Sequence, residues 1–147
     1  MIPEIGHFAL VLALVISLVQ SVFPMIGAAT GNAQWVAMAK PAAKAQVLFL
    51  AVSFACLTTS FLVSDFSVLY VASNSNTLMP TIYKISAVWG AHEGSLLLWA
   101  LTLAVWGALV AVYSKGISAV MLARVLAVMG MIGVGFMLFM LLTSNPF

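Results

Sequence analysis

Four long apolar runs divide the chain, at residues 5–28, 45–64, 95–113 and 121–142. Roughly 20 apolar residues cross a hydrocarbon core as a helix, so the pattern predicts four transmembrane helices. Polar positions inside the runs are few. The first run carries His7, Ser17, Gln20 and Ser21, with Pro24 near its end, where loss of one backbone bond is easily compensated. The second carries Ser53, Thr58, Thr59 and Ser60, hydroxyls that bond back to their own helix or to a neighbour. The fourth carries Gly130, Gly133 and Gly135, a small-residue patch on which another helix can press closely.

The connections differ in kind. Residues 27–44 read as a loop with Gly31-Asn32, Trp35, Lys40-Pro41 and Lys44, and a tryptophan beside lysines suits a membrane–water interface. Residues 65–94 form the longest non-spanning segment, a partly structured loop. In it Phe66, Val68, Tyr70 and Ala72 alternate with Ser67, Leu69, Val71 and Ser73, a weak strand-like or interfacial pattern. Ser73-Asn74-Ser75-Asn76-Thr77 with Met79-Pro80 is turn-rich. Ile82, Ile85 and Trp89 then fit a short amphipathic helix lying on a membrane surface. A short loop with Lys115-Gly116 as its stop signal joins the last two spans.

Composition supports this reading. The chain is 65% hydrophobic and 5% charged, against about 25% charged in soluble domains. Residues 1–147 therefore read as one all-α integral membrane domain in contact with a lipid bilayer. A net charge of +2 gives no reason to expect a nucleic-acid partner. Cys56 is the single cysteine, so no paired-cysteine site for metal or haem attachment exists. The start, Met1-Ile2-Pro3-Glu4, is acidic and leads into a long apolar run, which reads as a retained span and not a cleaved signal. Lys40, Lys44, Lys115 and Arg124 fall on one side of the predicted spans and Lys84 on the other. The positive-inside rule puts the larger set in the cytoplasm. Both termini and the 65–94 loop then face outward, the periplasm of a bacterium.

Against this background one stretch carries chemistry: Trp89-Gly90-Ala91-His92-Glu93-Gly94-Ser95-Leu96-Leu97-Leu98-Trp99. Ionisable groups near hydrocarbon depth are costly and usually functional. A helix starting near Gly94 places Glu93 at its positive end, with Glu93 or Ser95 available to cap it. His92, Trp99 and Trp106 are seven apart and share a face, a column able to line a flat aromatic ligand or a partner helix. The plainer reading stays open: interfacial tryptophans are common, and a His-Glu pair can be a cap. Adjacent His92 and Glu93 point about 100° apart on a helix, which does not suit one metal, and no metal site is expected. His7 reads as an interfacial histidine and Asp65 as a solvated helix end. Lys84 has the option of Glu93 as a partner, though the spacing does not require it.

The eleven-residue stretch resembles a motif of the CcmF family of cytochrome c maturation proteins and of its sister for nitrite reductase cytochromes. Met1-Ile2-Pro3-Glu4-Ile5-Gly6, Asp65-Phe66-Ser67-Val68, Tyr70-Val71-Ala72, Asn74-Ser75-Asn76, Arg124-Val125-Leu126-Ala127 and Ser144-Asn145-Pro146-Phe147 extend the resemblance over essentially the whole chain. It implies a role in haem attachment at the inner membrane. Such proteins take haem from a periplasmic haem chaperone and join it to Cys-x-x-Cys-His sites of apocytochrome c, working with thiol-handling maturation subunits. Members also carry a haem b. They are several times longer, and the tryptophan-rich motif and haem-ligating histidines lie downstream of Phe147. The chain is thus expected to be an N-terminal fragment or one piece of a split gene. The haem b ligands are not expected in it, and the catalytic residues stay unknown. Trp89, Gly90, His92, Glu93, Gly94, Ser95 and Trp99 are the candidates for docking haem or a partner. Two other readings remain open. One is a non-catalytic scaffold that recruits subunits through the glycine patch and the outer loop. The other is a transporter piece, against which Glu93 and Asp65 count by lying at span ends.

Overall fold

Along the first helix, α1 (Ile2–Thr30), the buried positions run Gly6, Leu10, Ala13, Ser17, Gln20, Pro24 and Gly27. That three- and four-residue spacing is one helix face, built from small and polar side chains. The computed structural model describes residues 2–76, 78, 80–90, 92–113, 116–143 and 145–147, and of His92 and Glu93 only the backbone. Met1, Thr77, Met79, Ala91, Ser114, Lys115 and Ser144, which carry parts of the expectations above, lie outside the described residues.

After α1 the chain turns through α2 (Ala33–Ala37) into α3 (Ala39–Leu62), crosses α4 (Leu69–Asn74) and α5 (Thr81–Ala87), and returns through α6 (His92–Tyr113) and α7 (Ala119–Leu142). The four long apolar segments, Ile2–Thr30, Ala33–Leu62, Gly94–Tyr113 and Ala119–Leu142, are each long and apolar enough to cross a membrane. The protein is an all-helical membrane protein. α1 packs on α3 and α7, and α6 packs on the same two helices.

The 27–44 connection is shorter than its composition predicts. Gly31, at φ +76°, reverses the chain, and Asn32 caps α2 by accepting from the Gln34 and Trp35 N–H groups. Gly27 lets this turn fold back, because a Cβ there would meet Trp35 Cβ at 2.7 Å and Val36 N at 2.8 Å. α3 begins at Ala39, so Lys40-Pro41 lies in its first turn. Proline is tolerated there because first-turn N–H groups have no helical partner. A second correction concerns residues 66–73: the alternation there is not a strand, and Leu69–Asn74 is a helical turn. Val68, Tyr70 and Val71 are buried while Leu69 is exposed. The Asn74 side-chain amide closes the turn by donating to the Tyr70 carbonyl at 2.9 Å.

Polar side chains tie α1 to α7. Ser17 Oγ donates to the Gly130 carbonyl at 2.7 Å, and Gln20 Nε2 donates to the Leu126 carbonyl at 2.6 Å. One index rises as the other falls, so the two helices are antiparallel. Gly130 and Gly133 make this approach possible. A Cβ on Gly130 would lie 3.1 Å from the Ser17 carbonyl oxygen, and one on Gly133 would lie 2.9 Å from Gln46 Nε2 and 3.0 Å from Ser17 Oγ. Gly135 differs: nothing lies within 4 Å of its notional Cβ. The glycine patch is therefore two residues spent inside the bundle and one facing away from it.

Gly133→Leu is expected to lower the folded fraction in detergent sharply, whereas Gly135→Leu leaves it unchanged. Ser17→Ala is expected to cost about 0.6 kcal/mol, the average for a side-chain hydrogen bond between membrane helices. Unfolding in mixed detergent micelles checks all three; equal effects of the two leucines would contradict the packing.

Candidate functional site

The Trp89–Trp99 stretch occupies a corner between the α4–α5 segment and α6. The corner starts at the end of α3. There the Asp65 N–H reaches the Ser60 carbonyl at 2.9 Å and the Ser64 N–H reaches Phe61 at 3.1 Å. These are the paired bonds of a helix-ending Schellman turn, whose left-handed position is usually glycine. Here it is Ser64, at φ +54°. Its hydroxyl accepts from Lys84 Nζ at 2.9 Å, which pins α5 to the end of α3. Lys84 thus has a partner in Ser64; the alternative, Glu93, has its side chain outside the described residues. Asp65 closes the turn, accepting from the Ser67 hydroxyl at 2.5 Å and the Ser67 N–H at 3.2 Å. Those two bonds hold its carboxyl below the usual carboxylate range.

Tyr70 then crosses the corner. Its ring meets Phe61 edge-on at 5.4 Å, and its hydroxyl donates to the Val88 carbonyl at 2.9 Å. Val88 is fully buried. Gly94, in the first turn of α6, is buried against the same carbonyl. A Cβ on Gly94 would overlap the Val88 carbonyl and come within 2.5 Å of the Tyr70 hydroxyl. Only glycine lets α6 start so close to the preceding turn. From there Leu97, Ala100 and Ala104 continue into the core.

The other candidates divide. Trp89 and Trp99 are 42% and 64% exposed, and Trp106 is 61% exposed. The two tryptophans of the expected column therefore face away from the bundle; His92, its third member, and Glu93 have side chains outside the described residues, and so does the question of which residue caps α6. Ser95 is half-buried. Gly90 has no neighbour closer than 3.5 Å to its notional Cβ, so packing does not require glycine there. Ile82 and Ile85 on α5 are exposed, so the apolar side of this short helix faces away from the core.

A second feature at this end was not visible in the sequence. Pro3, Glu4, His7, Phe8, Ser67 and Asn145 line a cavity of about 430 Å³. The Asn145 side-chain Oδ1 accepts from the Phe147 N–H at 2.9 Å, which turns its NH₂ toward His7 Nδ1 at 3.4 Å. A neutral imidazole accepting at Nδ1 carries its proton on Nε2. His7 and Asn145 are 138 residues apart, so no local pattern pairs them. Among the described residues, no group of three or more His, Cys, Asp or Glu side chains converges as a metal site would need.

Gly94→Ala is expected to destabilise the protein by about 1–3 kcal/mol, the usual cost of overpacking, while Gly90→Ala is neutral; thermal unfolding in detergent separates them. Tyr70→Phe is expected to cost about 1 kcal/mol for the lost hydroxyl bond. Because the folded-state pKa of Asp65 is lowered, the turn's contribution is present above the ordinary value of 3.8 and is lost as pH falls through the lower folded value. Ser67→Ala is expected to move the Asp65 midpoint back up in a carboxylate NMR titration; an unmoved midpoint would refute the assignment of its cause.

Known proteins provide a comparison for this architecture. No family model matches the chain. It is 61% identical over 147 residues to the cytochrome c-type biogenesis protein CcmF of Pseudomonas aeruginosa, covering all of this chain and 22% of that protein. It is 51% identical to CcmF of Escherichia coli and 37% identical to the cytochrome c-type biogenesis protein NrfE of Haemophilus influenzae, in each case over the whole chain and 23% of the relative. A solved structure, cytochrome c heme lyase CcmF, superposes with a TM-score of 0.94 at 29% identity, covering all of this chain and 25% of that one. The chain thus spans about a quarter or less of the length of the proteins it matches. By sequence and fold together it belongs to the CcmF family of cytochrome c-type biogenesis proteins, whose N-terminal portion it matches.

Proposed function

We propose that the chain serves as the N-terminal helical quarter of a cytochrome c haem lyase. In that assembly haem passes from a haem chaperone to apocytochrome c and is joined to the two thiols of a Cys-x-x-Cys-His site. Each thiol adds across one haem vinyl group, sulfur to one carbon and hydrogen to the other, so the bond formed is a thioether. The observation that carries this reading is the match over the entire chain, in sequence and in fold, to CcmF proteins. The basic residues at the α2–α3 and α6–α7 end favour that end in the cytoplasm. The Trp89–Trp99 corner, the His7 cavity and both termini then face the periplasm from an inner membrane.

Reaching a haem iron takes an imidazole with a free nitrogen and usually a second axial group. Of the chain's two histidines only His7 has a described side chain, so the described side chains offer no second imidazole. The chain therefore acts as a frame. Its contribution is positional: the Ser64–Lys84 and Tyr70–Val88 bonds fix the outer corner, and Gly94 brings α6 against it. Trp89, Gly90, His92, Glu93, Ser95 and Trp99, carried on the corner that Gly94 closes, make the outer rim on which haem or a maturation partner docks. The scaffold alternative loses part of its support, because Gly130 and Gly133 are occupied by α1 and α3.

Two measurements test this. His92→Ala in the full-length parent is expected to lower covalent haem on c-type cytochromes at least tenfold at unchanged protein level; wild-type maturation would remove the motif's role. Tagged chain purified from membranes is expected to bring down haem b with a chain bearing the missing histidines. Haem-free recovery with maturation proteins would establish the scaffold instead, and recovery of neither would overturn both.

A further inference from the structure

At the opposite end from the corner lies a cavity of about 430 Å³ between α2, the start of α3 and the first turn of α7. Val36, Ala37, Ile117, Val120 and Ala123 wall it, and Lys40 is its charged lining residue. Across Val120, an open groove of about 610 Å³ runs along α7 past Met121, Val125 and Val128, with Arg124 as its charged residue. We propose that this end binds one anionic phospholipid, with its phosphate at Lys40 and its acyl chains in the two hollows on either side of Val120. Charge selects the ligand class. Glu4, Asp65 and the backbone of Glu93, the three acidic positions, all belong to the other end, while Lys40, Lys44 and Arg124 belong to this one. An apolar hollow with a single cation at its rim suits an acyl chain joined to a phosphate, and basic pockets between membrane helices take such head groups. The volume lies within the range of small-molecule sites. Arg124, one turn into α7, lines the groove, where an arginine stem can lie on apolar surface with its guanidinium at the head-group level. A soluble anion has no use for the apolar walls, and a zwitterionic lipid gains nothing from the excess of cations.

Native mass spectrometry of the detergent-solubilised chain, titrated separately with phosphatidylglycerol and phosphatidylcholine, tests the site. Phosphatidylglycerol is expected to bind one-to-one and phosphatidylcholine far more weakly. Lys40→Gln is expected to weaken phosphatidylglycerol about fivefold, the worth of one basic residue near anionic lipid, and Lys40→Arg to retain it. Ala37→Trp fills the hollow without changing charge and is expected to displace the lipid, with circular dichroism confirming the fold. Equal binding of the two lipids, or no effect of both Lys40→Gln and Ala37→Trp, would overturn the proposal. Displacement by millimolar inorganic phosphate would assign a free-anion site instead, and a co-purifying protein helix with no lipid mass would assign the hollow to a partner; either result overturns it.

Discussion

The approach of α1 to α7 is the constraint on which the bundle depends. Between helices in lipid there is little hydrophobic gain, so association rests on close packing and on hydrogen bonds. Gly130 and Gly133 bring the α7 backbone within reach of Ser17 and Gln20, whose side chains donate to its carbonyls. Gln46 of α3 reaches the same glycine, so three of the four long helices meet at one small polar cluster. The cluster is not fully satisfied: Gln20 Oε1 is buried without a partner among the described residues. A buried donor that bonds outward and an acceptor that does not leave the interface specific in register and modest in strength.

From that contact the corner at the end of α3 follows. With α1 and α3 fixed, the end of α3 is fixed too, and the Ser64 turn decides where the chain goes next. Serine in a left-handed conformation is less favourable than glycine, but it supplies the oxygen that anchors Lys84. Tyr70 adds a second anchor at Val88, and Gly94 removes the Cβ that would hold α6 away. The corner is thus a chain of local fits, each needing the one before it.

Much of this was legible in the sequence. The four spans follow from apolar run length, which the bilayer enforces. Gly130 and Gly133 follow from the small-residue rule, but Gly135 shows its limit: the rule does not say which helix face meets a neighbour. Ser17, Gln20 and Ser21 looked like minor interruptions, yet their i, i+3 and i+4 spacing from Ala13 and Pro24 is the buried stripe itself. Lys40-Pro41 looked like loop because the first helical turn accepts both residues. The alternation over 66–73 misled because a six-residue helix buries only Tyr70 and Val71 and leaves no clear period. The His7–Asn145 contact joins chain ends and has no local signal at all.

The motif itself divides along the same line. Composition drew attention to His92 and Glu93, since charge is rare in this chain. Geometry accounts instead for Gly94, through an overlap that any side chain would create with the Val88 carbonyl. Trp89 and Trp99 answer to neither cause, being exposed on the outside of the bundle where packing within these residues asks nothing of them. A residue that the fold needs is explained by its neighbours, whereas an exposed tryptophan is explained by what surrounds the bundle, the membrane interface included. By that reasoning Gly94 belongs to the frame, and the exposed tryptophans belong to its outer surface.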